Sequence, residues 1–409
     1  MKKIALFGVC LATAVAAFAQ APVLKTAERE VKSGNYDEAM KILKPAMTDA
    51  ETAKMAQTWY LAGKAGIDFY DAQYLNLQVK KEVDKKKMSH ALLDGINYYI
   101  AALPLDTVTD AKGKVKTKYS KDIVKAVKDN YNSINNAAIF LWEEKDFMGA
   151  YDAWGMYLDI PSNPVLGKNA PAAQPDSIYS DIAFNRALAA WQVDSIEMSL
   201  ASFERAIELG YDKPQVYDYA INQAAQLAAR NGSNDKVFEI AEKAYKAFPN
   251  ANPVYLQLMI NGRIEKGKFD EAAAMLDEAI SAAPDNKQLS QLYSVKGTLF
   301  DAQKNMDEAL KCFEKAVSLD GENMLAQINL GRALCNQAYA INDEAQTKSN
   351  EEYQDIRANQ INPLFKKAAD HLERALEIDP DNAHDAKVYL RNIYYNLGDE
   401  ANLKRVENM

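Results

Sequence analysis

An all-α superhelix of antiparallel helix pairs is the fold class this sequence predicts, and two observations carry it. The first is an internal duplication between Asn252 and Asp320. The segment PVYLQLMINGRIEKGKFDEAAAMLDEAISAAPDN starts at Pro253, and SQLYSVKGTLFDAQKNMDEALKCFEKAVSLDGEN follows from Ser290. Superposed, Gly267-Lys268-Phe269-Asp270-Glu271-Ala272 falls on Lys304-Asn305-Met306-Asp307-Glu308-Ala309. Leu276 falls on Phe313, Ala279 on Ala316 and Pro284 on Gly321, a period close to 37 residues. The second observation is the recurrence of small side chains at three fixed positions through eight units. Antiparallel helices approach closely only where a side chain is small.

Counted from each unit's own start, the eighth position holds Ala27, Gly63, Ala138, Ala187, Ala225, Ile260, Gly297 and Gly331. The twentieth holds Ala39, Gly95, Ala150, Ser199, Val237, Ala272, Ala309 and Ala368. The twenty-seventh holds Ala46, Ala102, Tyr157, Ala206, Ala244, Ala279, Ala316 and Ala375. This spacing and these residues resemble the tetratricopeptide repeat, a helix–turn–helix unit of about 34 residues. The resemblance implies a right-handed α-solenoid. Ile260, Val237 and Tyr157 depart from the pattern, and looser packing is expected there.

The chain opens with Lys2 and Lys3, an apolar run from Ile4 to Ala16, and Ala17-Phe18-Ala19. That is the layout of a secretory signal peptide over residues 1–19, with cutting expected before Gln20. The run is shorter than the roughly 20 apolar residues a bilayer span needs. Cys10 lies too early to resemble a lipoprotein lipobox. A periplasmic or secreted protein of exported bacterial type is therefore expected, with no membrane insertion.

Removing 1–19 takes two lysines and no acids, which moves the formal charge from −9 to −11. An acidic chain without a sustained basic stripe argues against a nucleic-acid partner. Lys80, Lys81, Lys85, Lys86 and Lys87, interleaved with Glu82 and Asp84, read as a solvated helix face. Cys312 and Cys335 remain, too few for a disulfide framework. A bridge between them in an oxidising compartment and two separate half-buried thiols both stay open, the second being simpler.

Three stretches depart from the repeat. In the second unit the partner helix arrives about 20 residues late, near Ala91, so helices lengthened through 71–87 are expected. Thr107 to Tyr119, with Asp110-Ala111-Lys112-Gly113 at its centre, reads as a short β-hairpin or an ordered loop. In the eighth unit Ala368, Leu372 and Ala375 arrive 25 residues late, so 339–362 reads as extended helix plus loop. The proline-rich run 161–176 cannot continue a helix, because proline lacks the donor and clashes with the preceding turn. It is expected to connect an irregular half, 20–160, to a regular array with a capping helix, 177–409. Lys404, Arg405 and Glu407 supply the polar outer face a terminal unit needs.

Nothing in the sequence carries catalysis. Nucleophile-elbow, phosphate-loop, dinucleotide and paired-histidine zinc motifs are absent, and His90, His371 and His384 are scattered. No catalytic residue, cofactor or metal is expected. What the family resemblance implies instead is a groove, lined by the first helices at their second, fifth, ninth and twelfth or thirteenth positions. Carried over, these positions give Asn222, Gln226 and Arg230, then Gln257 and Asn261. Ser294, Thr298 and Asp301 follow, and Arg332 and Asn336 close the row. Amide side chains both donate and accept, which suits the backbone of an extended peptide. Trp142 and Trp191 fall at the twelfth position of their units and read either as aromatic anchors or as packing. The fifth positions Asn222, Gln257, Ser294 and Ile328 lack the Lys/Asn/Arg clamp with which some relatives hold an acidic C-terminus.

The expectation is a scaffold that binds a protein or peptide, with 71–87, 107–119 and 339–362 as further recognition surfaces. A glycan- or nutrient-binding helical-repeat protein of the envelope is the alternative, with the two tryptophans stacking on sugar rings. Asp106-Thr107-Val108, Asp176-Ser177-Ile178 and Asp194-Ser195-Ile196 resemble a periplasmic O-glycosylation acceptor, the first two in expected loops.

Overall fold

The computed structural model describes residues 22–109, 115–249, 251–381 and 383–409. The expected leader 1–19 and the expected hairpin centre Asp110 to Gly113 lie outside them. The described chain is helical apart from one two-residue hairpin, and it forms two compact units that divide between Arg230 and Asn231.

The first unit begins with α1 (22–32) and α2 (Tyr36–Thr48). The long pair α3 (Ala56–Gln78) and α4 (Lys85–Ala102) follows, then the strands β1 (Val108–Thr109) and β2 (Val115–Lys116) and a short α5 (Ser120–Asp129). Next come α6 (Tyr131–Glu143), α7 (Phe147–Asp159), α8 (Asp176–Gln192), α9 (Ile196–Glu208) and α10 (Gln215–Asn231). The second unit holds α11 (Asp235–Ala247), α12 (Pro253–Glu265), α13 (Phe269–Ala282), α14 (Asn286–Ala302) and α15 (Met306–Leu319). It ends with α16 (Met324–Ala345), α17 (Asn350–Ile356), α18 (Asn362–Ile378), α19 (His384–Leu397) and α20 (Glu400–Glu407). Within each unit most consecutive helices pack side by side, with α16 against α18 across the insertion.

One turn geometry recurs between paired helices. Gly34, Lys80, Lys145, Asp194, Gly267, Lys304 and Gly398 all take positive φ. The following amide closes back onto the carbonyl five residues before it, as in Asp146 N to Leu141 O at 2.8 Å and Asn305 N to Phe300 O at 2.8 Å. This is the left-handed helix stop that satisfies orphan carbonyls. Lysine and aspartate adopt it here at a cost of order 1 kcal/mol that glycine does not bear.

The small residues sit where the helices cross. A β-carbon on Gly66 would stand 2.2 Å from Ala91 O, and one on Gly95 3.0 Å from Gly63 O, so α3 and α4 touch backbone to backbone. A β-carbon on Gly331 would stand 3.0 Å from Ala368 O and 2.6 Å from Leu372 Cγ. The delayed second helix of the eighth unit therefore closes on its partner as the spacing requires. The extra residues lengthen α3 to 23 residues and α16 to 22, and α17 occupies part of what reads as loop.

Two expectations need correction. Tyr157 loosens nothing: it is 4 % exposed and its ring stacks on Tyr131 at 4.4 Å, filling the space small residues leave elsewhere. Ser177 is not in a loop but in the first turn of α8. At Ile260, fully buried, α12 does lie against less of α13 than α14 does of α15. The proline-rich run lies inside the first unit and is docked there. Ile160 and Leu166 are buried, and Tyr179 Oη accepts from Gln174 N at 3.0 Å while pairing with Tyr131 Oη at 2.9 Å.

Asp106 anchors the hairpin insertion. The buried carboxylate accepts from the backbone amides of Lys118, Tyr119 and Ser120 and from Ser120 Oγ, at 2.6 to 3.1 Å. The hairpin itself pairs Val108 with Lys116 and Thr109 with Val115. Burial pushes the Asp106 carboxyl up, but these donors outweigh it and hold it below the ordinary carboxylate value.

Candidate partner-binding surface

Of the lysine cluster expected on a solvated helix face, Lys80 and Lys81 lie exposed in the turn between α3 and α4, while the other three are stitched into the fold. Lys85 Nζ reaches Glu143 at 2.6 Å, Lys86 Nζ reaches Asp146 at 3.1 Å, and Lys87 Nζ reaches Asp37 at 2.8 Å. Lys87 also lies over the Phe69 ring at 5.5 Å. These lysines tie the start of α4 to α2, α6 and the turn before α7. Asp146 is the centre of the arrangement: it caps α7 by accepting from Gly149 N at 3.1 Å and meets His90 Nε2 at 2.7 Å. Burial raises its carboxyl, yet the bonds to His90, Lys86 and Gly149 leave it below its ordinary value.

In the second unit, expected groove residues meet across neighbouring first helices. Arg332 on α16 pairs with Asp301 on α14 at 3.0 Å, both about a quarter exposed. Asn329 Nδ2 donates to Ser294 Oγ at 3.2 Å, and Thr298 Oγ1 donates to Ser294 O at 3.2 Å. Ser294 itself is buried, so it links helices and offers nothing to solvent. Asn336 lies half-buried on the same helix as Arg332, and Gln257 and Asn261 are half-buried on α12. Asn261 Oδ1 and Arg332 Nε are buried without a hydrogen-bond partner among the described residues.

In the first unit, Asn222 and Gln226 are exposed on α10 and bond to each other at 2.8 Å, and Arg230 approaches Glu197 at 3.9 Å. Trp191 is held in an aromatic cluster, edge-on to Tyr219 at 5.1 Å and to Phe203 at 6.2 Å. Trp142 stands differently. It lines a cleft of about 280 Å³ with Ile139, Trp154, Asn185 and Leu188. Trp154 is 4 % exposed, and its Nε1 donates to Asn135 Oδ1 at 3.0 Å. Trp142 meets Phe147 edge-on at 5.0 Å. Of these five, only Trp142 is among the groove residues expected from the sequence. The signal for two others was present, since Ile139 and Leu188 occupy the ninth, groove-facing position of their units.

Cys312 and Cys335 are both free and buried. Burial pushes the Cys335 thiol up to about 11 and raises that of Cys312. Among the described residues, no group of three or more His, Cys, Asp or Glu could hold a metal ion, and no helix is long and apolar enough to cross a membrane.

Residues 290–323 match the family model described as tetratricopeptide repeat. No curated protein sequence matches the chain. Among solved structures, a TPR repeats protein from Bacteroides fragilis is similar at 17% identity and a TM-score of 0.30, covering 65% of this chain and 98% of that one. YrrB, a TPR protein with an unusual peptide-binding site, is similar at 20% identity and 0.29, covering 51% and 92%. The human IFIT1 dimer with m7Gppp-AAAA is similar at 15% identity and 0.40, covering 85% and 67%. Residues 290–323 are thus similar to a tetratricopeptide repeat, and Gly63, Gly95, Gly297 and Gly331 sit where paired helices cross, as the helix pairing of that repeat requires.

Proposed function

We propose that the protein is an exported scaffold that binds a protein or peptide partner along the first helices of its repeats and performs no catalysis. The observation that carries this reading is the polar row of α14 and α16. Thr298, Asp301, Arg332 and Asn336 lie on adjacent helices with Asp301 and Arg332 joined, giving donors and acceptors at the spacing of successive repeats. Such a row suits an extended backbone, whose own groups alternate donor and acceptor.

Location follows from the leader: Lys2-Lys3, the apolar run and Ala17-Phe18-Ala19 support export, and N-terminal sequencing of the mature protein should begin at Gln20. A photo-cross-linking residue placed at Thr298 or Asn336 in living cells should capture one defined protein, identified by mass spectrometry. Cross-links scattered over unrelated proteins, indistinguishable from those formed at a residue on α20, would sink the reading.

A further inference from the structure

The geometry points to a partner whose chemistry can be named: we infer that the cleft between α6, α7 and α8 takes one aliphatic or aromatic side chain from a cationic peptide segment. The inference rests on the reading of these repeats as peptide-binding and specifies the ligand. The cleft is apolar on nearly every side. Two indole rings, Ile139 and Leu188 line it, and Asn185 supplies the one amide. Ile139 remains 42 % exposed, so the structure leaves an apolar surface open at its mouth. A volume of about 280 Å³ holds a single large side chain. Its floor is already fixed, because Trp154 is bonded to Asn135 and Trp142 is braced by Phe147. A pre-formed pocket spares the ligand the ordering cost that a mobile one imposes.

Charge selects the rest of the ligand. Residues 131–230, which hold the cleft, contain 13 Asp or Glu against six Lys or Arg, and an acidic excess remains after Lys85 and Lys86 of α4 are set against Glu143 and Asp146. Four of those six cations are engaged within the fold. Arg186 lies over Tyr151 at 4.1 Å and Lys213 over Tyr211 at 5.8 Å, Arg205 meets Glu208 at 3.2 Å, and Arg230 approaches Glu197. Asp152, Asp176, Asp181 and Asp194 are exposed. Of these, Asp152 lies two residues before Trp154 on α7 and Asp181 one turn before Asn185 on α8, and exposed acids beside an apolar pocket steer and hold a segment of Lys or Arg flanking one apolar residue. A glycan fits less well, since a sugar site needs several convergent polar groups and the cleft offers Asn185 alone.

The test is a selection of random peptides displayed on phage against the full mature chain, followed by titration of the enriched peptides by tryptophan fluorescence. Enriched peptides should be net positive and carry Leu, Ile, Met, Phe or Trp. Ile139→Glu, on a side chain already exposed, should weaken them by at least about tenfold, and Asn185→Ala gives a second, smaller perturbation at the same cleft. Acidic or uncharged consensus sequences overturn the inference. So does unchanged binding by both variants; if Asn336→Ala then abolishes binding, peptide recognition survives and this cleft is excluded. Failure to enrich any peptide removes both readings.

Discussion

Gly297 on α14 and Phe313 on α15 meet so closely that a β-carbon on the glycine would stand 2.4 Å from Phe313 Cε1. Phe313 is fully buried and cannot withdraw. Gly297→Ala should therefore destabilise the second unit by about 2 kcal/mol, the usual range for overpacking. Gly321→Ala, where nothing lies within 4 Å, should change stability by less than about 0.5 kcal/mol. Because repeat arrays can unfold in parts, the measurement is amide exchange in α14 and α15 alongside the urea midpoint. Equal effects from the two substitutions would contradict the crossing geometry.

Asp106→Asn should free the hairpin base. An amide offers one acceptor oxygen where the carboxylate offers two, and its NH2 faces backbone donors. The expected cost is about 2 kcal/mol, the penalty for buried groups left unpaired. Amides of Lys118, Tyr119 and Ser120 should lose exchange protection while α3 and α4 keep theirs. The wild-type carboxyl is held below its ordinary value of 3.8, so its contribution is complete above that pH and fades as acid protonates it. Exchange rates that stay flat between pH 5 and 2, once corrected for intrinsic chemistry, would speak against this.

Asp146→Ala removes the cap of α7 and leaves His90 and Lys86 without their shared acceptor. A loss of about 1 to 2 kcal/mol is expected, the scale of an N-cap deletion. Since the Asp146 carboxyl also lies below 3.8 when folded, the penalty should be largest at neutral pH and shrink below that value. Thermal melts of both proteins at pH 7 and pH 3 check the sign, and a penalty that grows in acid would refute it.

Neither thiol should react in the folded state. Cys335 is fully buried with its thiol raised to about 11, and Cys312 is 8 % exposed. At neutral pH a thiol-specific chromogenic reagent should label Cys312 and Cys335 of a chain beginning at Gln20 only after denaturation, the thiolate being the reactive form. A mass lower by two hydrogens, marking a disulfide, would overturn the free-thiol state.

The repeat itself was legible because close helix crossings impose a chemical signature that survives sequence drift. Gly63, Gly95, Gly297 and Gly331 were all marked by spacing alone, and each faces a neighbour a β-carbon would strike. Gly267 and Lys304 fall on each other in the repeat alignment, but the left-handed backbone they share with Gly34 and Lys145 was not legible there. The cleft was half legible. Trp142 drew attention by its type, while Trp154 and Asn185 lie at positions no groove template marks.

What the sequence determined by itself was therefore periodic: helix content, helix pairing and the places where rods nearly touch. Those follow from local hydrophobic spacing and side-chain volume, which neighbouring residues along the chain decide. Only tertiary structure decided that Lys85, Lys86 and Lys87 are fastened to Glu143, Asp146 and Asp37. It likewise decided that Asp106 closes a hairpin by accepting from Lys118, 12 residues on, that the proline-rich run is docked, and that a cleft opens between α6 and α8. Partners in such contacts are set by which surfaces the stacking brings together, and residues distant along the chain carry no mark of one another.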